Sequence, residues 1–134
     1  MRAPPRPPPP LQLRLSGGSL AARLSGARRE VAAWAAALGL SEDLVDDVVL
    51  ASHEALANVA DHAYPDGDGE AWLLLECTAH RMEIVVRDRG RWRPPPADPG
   101  WRGRGLMIIR ALADDVEVRH DSTGTVVRMR WRMG

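Results

Sequence analysis

Leu11, Leu13 and Leu15 alternate with Gln12 and Arg14, the two-residue period of a strand that buries one face. Ser16-Gly17-Gly18 breaks the pattern. Ser19 then stands where an N-cap belongs, ahead of a helix predicted to run to Leu38 and to stop at Gly39. Ser41-Glu42-Asp43 offers a second N-cap with acids in the first turn, and apolar residues at helical spacing continue to Tyr64, where Pro65-Asp66-Gly67 ends them. The second half changes period. Ala71 to Thr78 and Met82 to Arg87 read as strands around a polar turn at Ala79-His80-Arg81. Val116-Glu117-Val118 and Val126 to Trp131 read as a closing hairpin turned through Asp121-Ser122-Thr123-Gly124. Between these pairs, Asp88 to Gly105 is too dense in Gly, Pro and Arg for either element, and Leu106 to Ala113 reads as a short helix. The order strand, two helices, two strands, loop, helix, hairpin predicts an α/β (α+β) two-layer sandwich.

The chain has 134 residues, enough for one domain with its own core. Residues 1–10, MRAPPRPPPP, block helix and ladder alike and read as a disordered Pro-rich tail, solvated or serving as a polyproline ligand. The domain is expected over 11–133. One cysteine, Cys77, excludes an internal disulfide framework and a Cys-rich zinc site, and is expected to be an inert buried residue. The longest apolar run, Val31 to Leu40, falls short of the about 20 residues a bilayer demands. These features predict a soluble, cytoplasmic chain with no membrane partner.

Charge changes the picture only in kind. The 18 basic residues balance 18 acidic ones, so no global field points to direct nucleic-acid binding. Arginine accounts for all of the basic residues. The absence of lysine excludes Schiff-base chemistry and the phosphate-loop lysine. Any phosphate bound here must be met by a metal, backbone amides and arginine.

On the second predicted helix, Asp47, Asn58 and Asp61 fall within roughly 40° of Glu54, while Val45, Val48, Ser52, Leu56, Val59 and Ala63 share the opposite side. Such a stripe is either a solvated face or a site. Asparagine is a poor helix-interior residue, and its oxygen, like a carboxylate, is a hard ligand suited to Mg²⁺. Further along, Gly103-Arg104-Gly105 opens a helix, where free N–H groups and the helix dipole favour phosphate, although a plain loop has the same composition. Arg91, Arg93 and Arg102 lie in the Pro-rich segment before it, with Trp92 and Trp101, and read as a surface flap able to clamp phosphate.

Glu54-Ala55-Leu56-Ala57-Asn58 on a helix, Asp88-x-Gly90 after a strand, Gly103-x-Gly105-Leu106 and Gly124-Thr125 form one ordered series. The series resembles the GHKL ATPase superfamily with its Bergerat fold, a histidine kinase-like ATP-binding domain. Ser52 to Tyr64, SHEALANVADHAY, is similar to the signature of anti-sigma-factor serine kinases. The resemblance implies a mixed, mostly antiparallel sheet covered on one face by about three helices, with ATP and Mg²⁺ as cofactors. It implies Asn58 as the Mg²⁺ ligand, Glu54 as general base, Asp88 as acceptor for the adenine amino group, and Gly90 as room for the base. Gly103 and Gly105, with Leu106 beside them, match the second glycine box; Thr125 matches a threonine near the adenine. His62 is expected to face phosphate, and Arg102 and Arg104 are the nearest cations.

The implied function is a serine/threonine protein kinase that phosphorylates an anti-sigma-factor antagonist, a STAS-type protein, and sequesters a sigma factor. Such kinases are commonly dimers, with the first helix and first strand as natural contact surfaces. Trp34 on that helix is expected in the core. The chain departs from the family pattern where Trp92 replaces the last glycine of Asp-x-Gly-x-Gly, which motivates an alternative, a non-catalytic nucleotide-dependent binding module of the same fold. Asp61 stands where sensor histidine kinases usually carry a basic residue, and no helical hairpin for a phosphoacceptor histidine is present in the sequence.

Overall fold

The computed structural model describes residues 9–16, 20–64, 69–91 and 105–133. The expectations placed on residues 1–8, on Ser19, on the flap with Trp92, and on Arg102, Gly103 and Arg104 lie outside them. The described chain runs β1 (Leu11–Leu15), α1 (Leu24–Ala37), α2 (Glu42–Asn58), β2 (Ala71–Cys77), β3 (Arg81–Asp88), α3 (Gly105–Leu112), β4 (Asp115–Asp121) and β5 (Gly124–Arg132). The sheet order is β1-β2-β3-β5-β4, and every neighbouring pair is antiparallel. No described pair supplies the parallel component of a mixed sheet.

Alternation sets the layers. Leu73 and Leu75 of β2, Ile84 and Val86 of β3, and Met129 and Trp131 of β5 are buried on one face of the sheet. They meet Val31 of α1, Val48 and Leu56 of α2, and Ile109 of α3 in a single core. Fully burying one such side chain contributes about 1.5–3 kcal/mol. The second helix packs against α1, α3 and β3, so its residues sit at the centre of the helical layer.

The first two predicted helices are each shorter than their patterns. The first opens as a 3₁₀ turn, Ala21–Arg23, before α1, and Gly39 at φ 75° then turns the chain out of the helix. Ser41 caps α2 as expected, accepting the Leu44 N–H at 3.2 Å. The second ends its α-helical stretch at Asn58 and widens into a π turn, Val59–Ala63. Such turns recur at functional sites. One smaller expectation is corrected: Cys77, at the end of β2, is half-buried rather than buried. Trp34 packs against the core, half-buried, with its Nε1–H donating to the Pro9 carbonyl at 3.0 Å.

Candidate functional site

The α2 helix carries Ser52 and Leu56 into the core and leaves Glu54 and Asn58 half-buried on the other side, one helical turn apart. Of the stripe, Asp47 is also half-buried, Asp61 is exposed, and Val45 on the opposite side is only half-buried. The Asn58 carboxamide faces Gly105, the first residue of α3. A Cβ at Gly105 would stand 2.8 Å from Asn58 Oδ1 and 2.9 Å from Nδ2, so glycine is what lets the start of α3 come this close. Leu106 follows, half-buried. His62, on the π turn, is exposed.

Asp88 ends β3 and is paired with buried Thr125 of β5. Its Oδ1 accepts the Gly90 N–H at 2.8 Å. Burial pushes the Asp88 carboxyl above its ordinary 3.8, and the Gly90 and Thr125 amides partly oppose that by stabilising the anion. Gly124, at φ 146°, lies against the Asp88 carbonyl, where a side chain would collide with the strand. A cavity of about 630 Å³ opens beside Asp88 and Thr125, with Arg87, Arg89 and Arg119 on its wall.

The Asp88 turn is tied back to the end of α2. The Ala63 carbonyl accepts the Arg91 N–H at 2.9 Å, and Gly90 packs directly on it. The Tyr64 hydroxyl accepts the Arg89 N–H at 2.8 Å and donates to the Glu70 carbonyl at 2.7 Å. Asn58 and Asp88, far apart in the chain, thus sit on one connected frame. These tethers escaped the reading of the sequence, where Ala63 and Tyr64 mark only the end of a helical pattern. Equally hidden is the pair between α1 and α2, in which Arg28 Nη2 lies 3.0 and 3.2 Å from the His53 ring nitrogens. Burial first, then the Arg28 charge, holds the His53 pKa below its ordinary 6.5, while Glu54 pulls the other way.

Among the described residues no three His, Cys, Asp or Glu side chains gather as a metal site. Asn58 offers an amide oxygen and Glu54 a carboxylate, both hard donors of the kind Mg²⁺ takes. No described helix is long and apolar enough to cross a membrane.

Comparison with known proteins gives the family and the fold. Residues 18–131 match the histidine kinase-like ATPase domain. The serine-protein kinase RsbW of Halalkalibacterium halodurans is 35% identical over 117 residues, covering 76% of this chain and 71% of that protein. RsbW of Bacillus cereus strain AH820 is 29% identical over 119 residues, covering 78% and 74%. In fold, the chain is similar to the solved RsbU and RsbW domains of Rv1364c from Mycobacterium tuberculosis, with a TM-score of 0.75 and 24% identity; the match covers 94% of this chain but 33% of that one. The Erythrobacter litoralis EL346 blue-light activated histidine kinase shares the fold at a TM-score of 0.59 and 21% identity, over 84% of this chain and 40% of that one. With a family match over most of its length and a relative above 30% identity, the chain belongs to the histidine kinase-like ATPase family, in its serine-protein kinase branch.

Proposed function

We propose that this chain is an ATP- and Mg²⁺-dependent protein serine/threonine kinase that phosphorylates an anti-sigma-factor antagonist of the STAS type and holds a sigma factor inactive. The observation that carries the reading is the placement of Glu54 and Asn58 on one half-buried helix face, with Gly105 against Asn58 and Asp88 tied to the end of the same helix.

Each residue then has a task. The Asp88 carboxylate accepts from the adenine amino group, Gly90 leaves room for the base, and Thr125 borders it. The Asn58 oxygen, half-buried beside the start of α3, holds Mg²⁺. The metal supplies charge neutralisation across the phosphates. The amides of Gly103 and Gly105, with Leu106 following, approach phosphate oxygens; Arg102, Arg104 and His62 add charge around them. Glu54 takes the proton from the substrate serine as its oxygen bonds to the γ-phosphorus, the bond to the β–γ bridging oxygen breaks, and ADP departs. A homodimer through α1 and the edge strand β1 and a cytoplasmic place of work belong to the same reading.

Labelled ATP mixed with the chain and its purified antagonist tests it. Phosphate on an antagonist serine is the expected result; ATP binding without transfer overturns the kinase. Trp92 in the first glycine box favours a second reading, a nucleotide-dependent binding module without transfer. Under that reading, Glu54→Ala leaves partner regulation intact.

A further inference from the structure

Past Asp88 the ladder ends. Asp88 is the last residue of β3 paired to β2 and β5, so the turn at 89–91 has no strand to hold it. Its three amides are nevertheless all used. The Gly90 N–H goes to Asp88 itself, the Arg91 N–H to the Ala63 carbonyl, and the Arg89 N–H to the Tyr64 hydroxyl. That hydroxyl is fixed in turn by donating to the Glu70 carbonyl, just ahead of β2. The Tyr64 ring lies on Gly69, where any side chain would displace it.

We infer that Tyr64 is a positioning residue for base recognition: its hydroxyl holds the Asp88-Arg89-Gly90 turn so that the Asp88 carboxylate stays aimed at a 6-aminopurine. The inference rests on the reading of Asp88 as the adenine contact. It assigns the selectivity for adenine to a side chain that does not itself touch the nucleotide. The physical reason is the low tolerance of a hydrogen bond to misalignment. The ladder holds the Asp88 backbone, but its carboxylate is oriented by the Gly90 N–H of the turn. With only the Arg91 tether left, that amide shifts and the carboxylate loses its aim at a donor in one position.

Tyr64→Phe removes both hydrogen bonds and keeps the ring over Gly69. Binding of ATP and of inosine triphosphate, which carries an oxygen in place of the 6-amino group, is measured for the full chain. The expected result is an affinity for ATP reduced about three- to tenfold, the effect of a lost hydrogen bond or two. Affinity for inosine triphosphate stays nearly constant, so the ratio between the two narrows, and the Arg89 amide exchanges faster with solvent. Asp88→Asn narrows the ratio by itself, and adding Tyr64→Phe narrows it no further. Because the chain has 1 tyrosine, biosynthetic 3-fluorotyrosine places fluorine beside this hydroxyl and nowhere else; it weakens the oxygen as acceptor for the Arg89 N–H and is a second variant expected to shift the ratio in the same direction. A clear preference for ATP that neither variant moves, or an equal loss for both nucleotides, overturns the role of Tyr64 and leaves Asp88 as the base contact. Equal binding of both nucleotides by the unaltered chain overturns the Asp88 reading and this inference with it.

Discussion

The Asn58 carboxamide lies against Gly105, with room for no side chain between them: a Cβ there would come within 2.8 Å of Oδ1. One contact joins the end of α2 to the start of α3 and sets the half-buried amide beside a helix N-terminus. Gly105→Ala is therefore expected to push the Asn58 amide aside. Overpacking at such a site costs about 1–3 kcal/mol, read as a lower denaturation midpoint. Nucleotide affinity in the presence of Mg²⁺ is expected to fall at least about tenfold, the equivalent of 1.4 kcal/mol. An alanine variant with unchanged nucleotide binding would separate Asn58 from the site.

Glu54 is half-buried on the same helix face, one turn before Asn58. If it serves as the base, Glu54→Gln keeps the packing and removes the proton acceptor. Transfer to the antagonist should drop by roughly 10²–10⁴-fold, with ATP affinity changed by less than about twofold. Rates and binding are measured on the same preparation, and a parallel loss of both contradicts the role.

Burial raises the Asp88 carboxyl above 3.8. An acceptor for a base amino group works best ionised, so nucleotide affinity should decline on acidification at a higher pH than an exposed aspartate would cause. Asp88→Asn flattens that profile. Linked stability follows the shift: this group's contribution is fully present below 3.8 and lost as pH rises through the raised value. Calorimetric titrations over a pH series check both.

His53 behaves in the opposite sense. Its folded pKa is lowered from 6.5 by burial and by Arg28, so the folded chain prefers the neutral ring. Below 6.5 the unfolded chain binds a proton that the folded chain resists. Stability therefore falls as pH drops from 6.5 through the folded value and recovers above it. Urea midpoints between about pH 5 and pH 8 should show the slope, and His53→Gln should reduce it.

Much of the architecture was legible because it rests on local periods. The alternation of Leu11, Leu13 and Leu15 is strand β1, and the Ser41 cap begins α2. Glu54 and Asn58 emerge together because four residues make about one helical turn. The limits of these elements were less legible. Nothing in the pattern from Val59 to Ala63 distinguishes a π turn from an α-helix, since both keep apolar residues toward the core. The parallel component expected of the sheet did not materialise among the described strands because every neighbouring pair joins in the antiparallel sense.

The sequence by itself determined the layers, the core-facing residues and the face that bears Glu54 and Asn58, because side-chain periodicity follows from backbone geometry. Tertiary structure alone decided what stands opposite that face. It brought Gly105 to Asn58, set Gly90 on the Ala63 carbonyl, and closed the Tyr64 hydroxyl between Arg89 and Glu70. Those contacts cross the chain between elements whose spacing carries no shared period. They come about because packing three helices on one sheet face brings the ends of α2, β3 and α3 side by side.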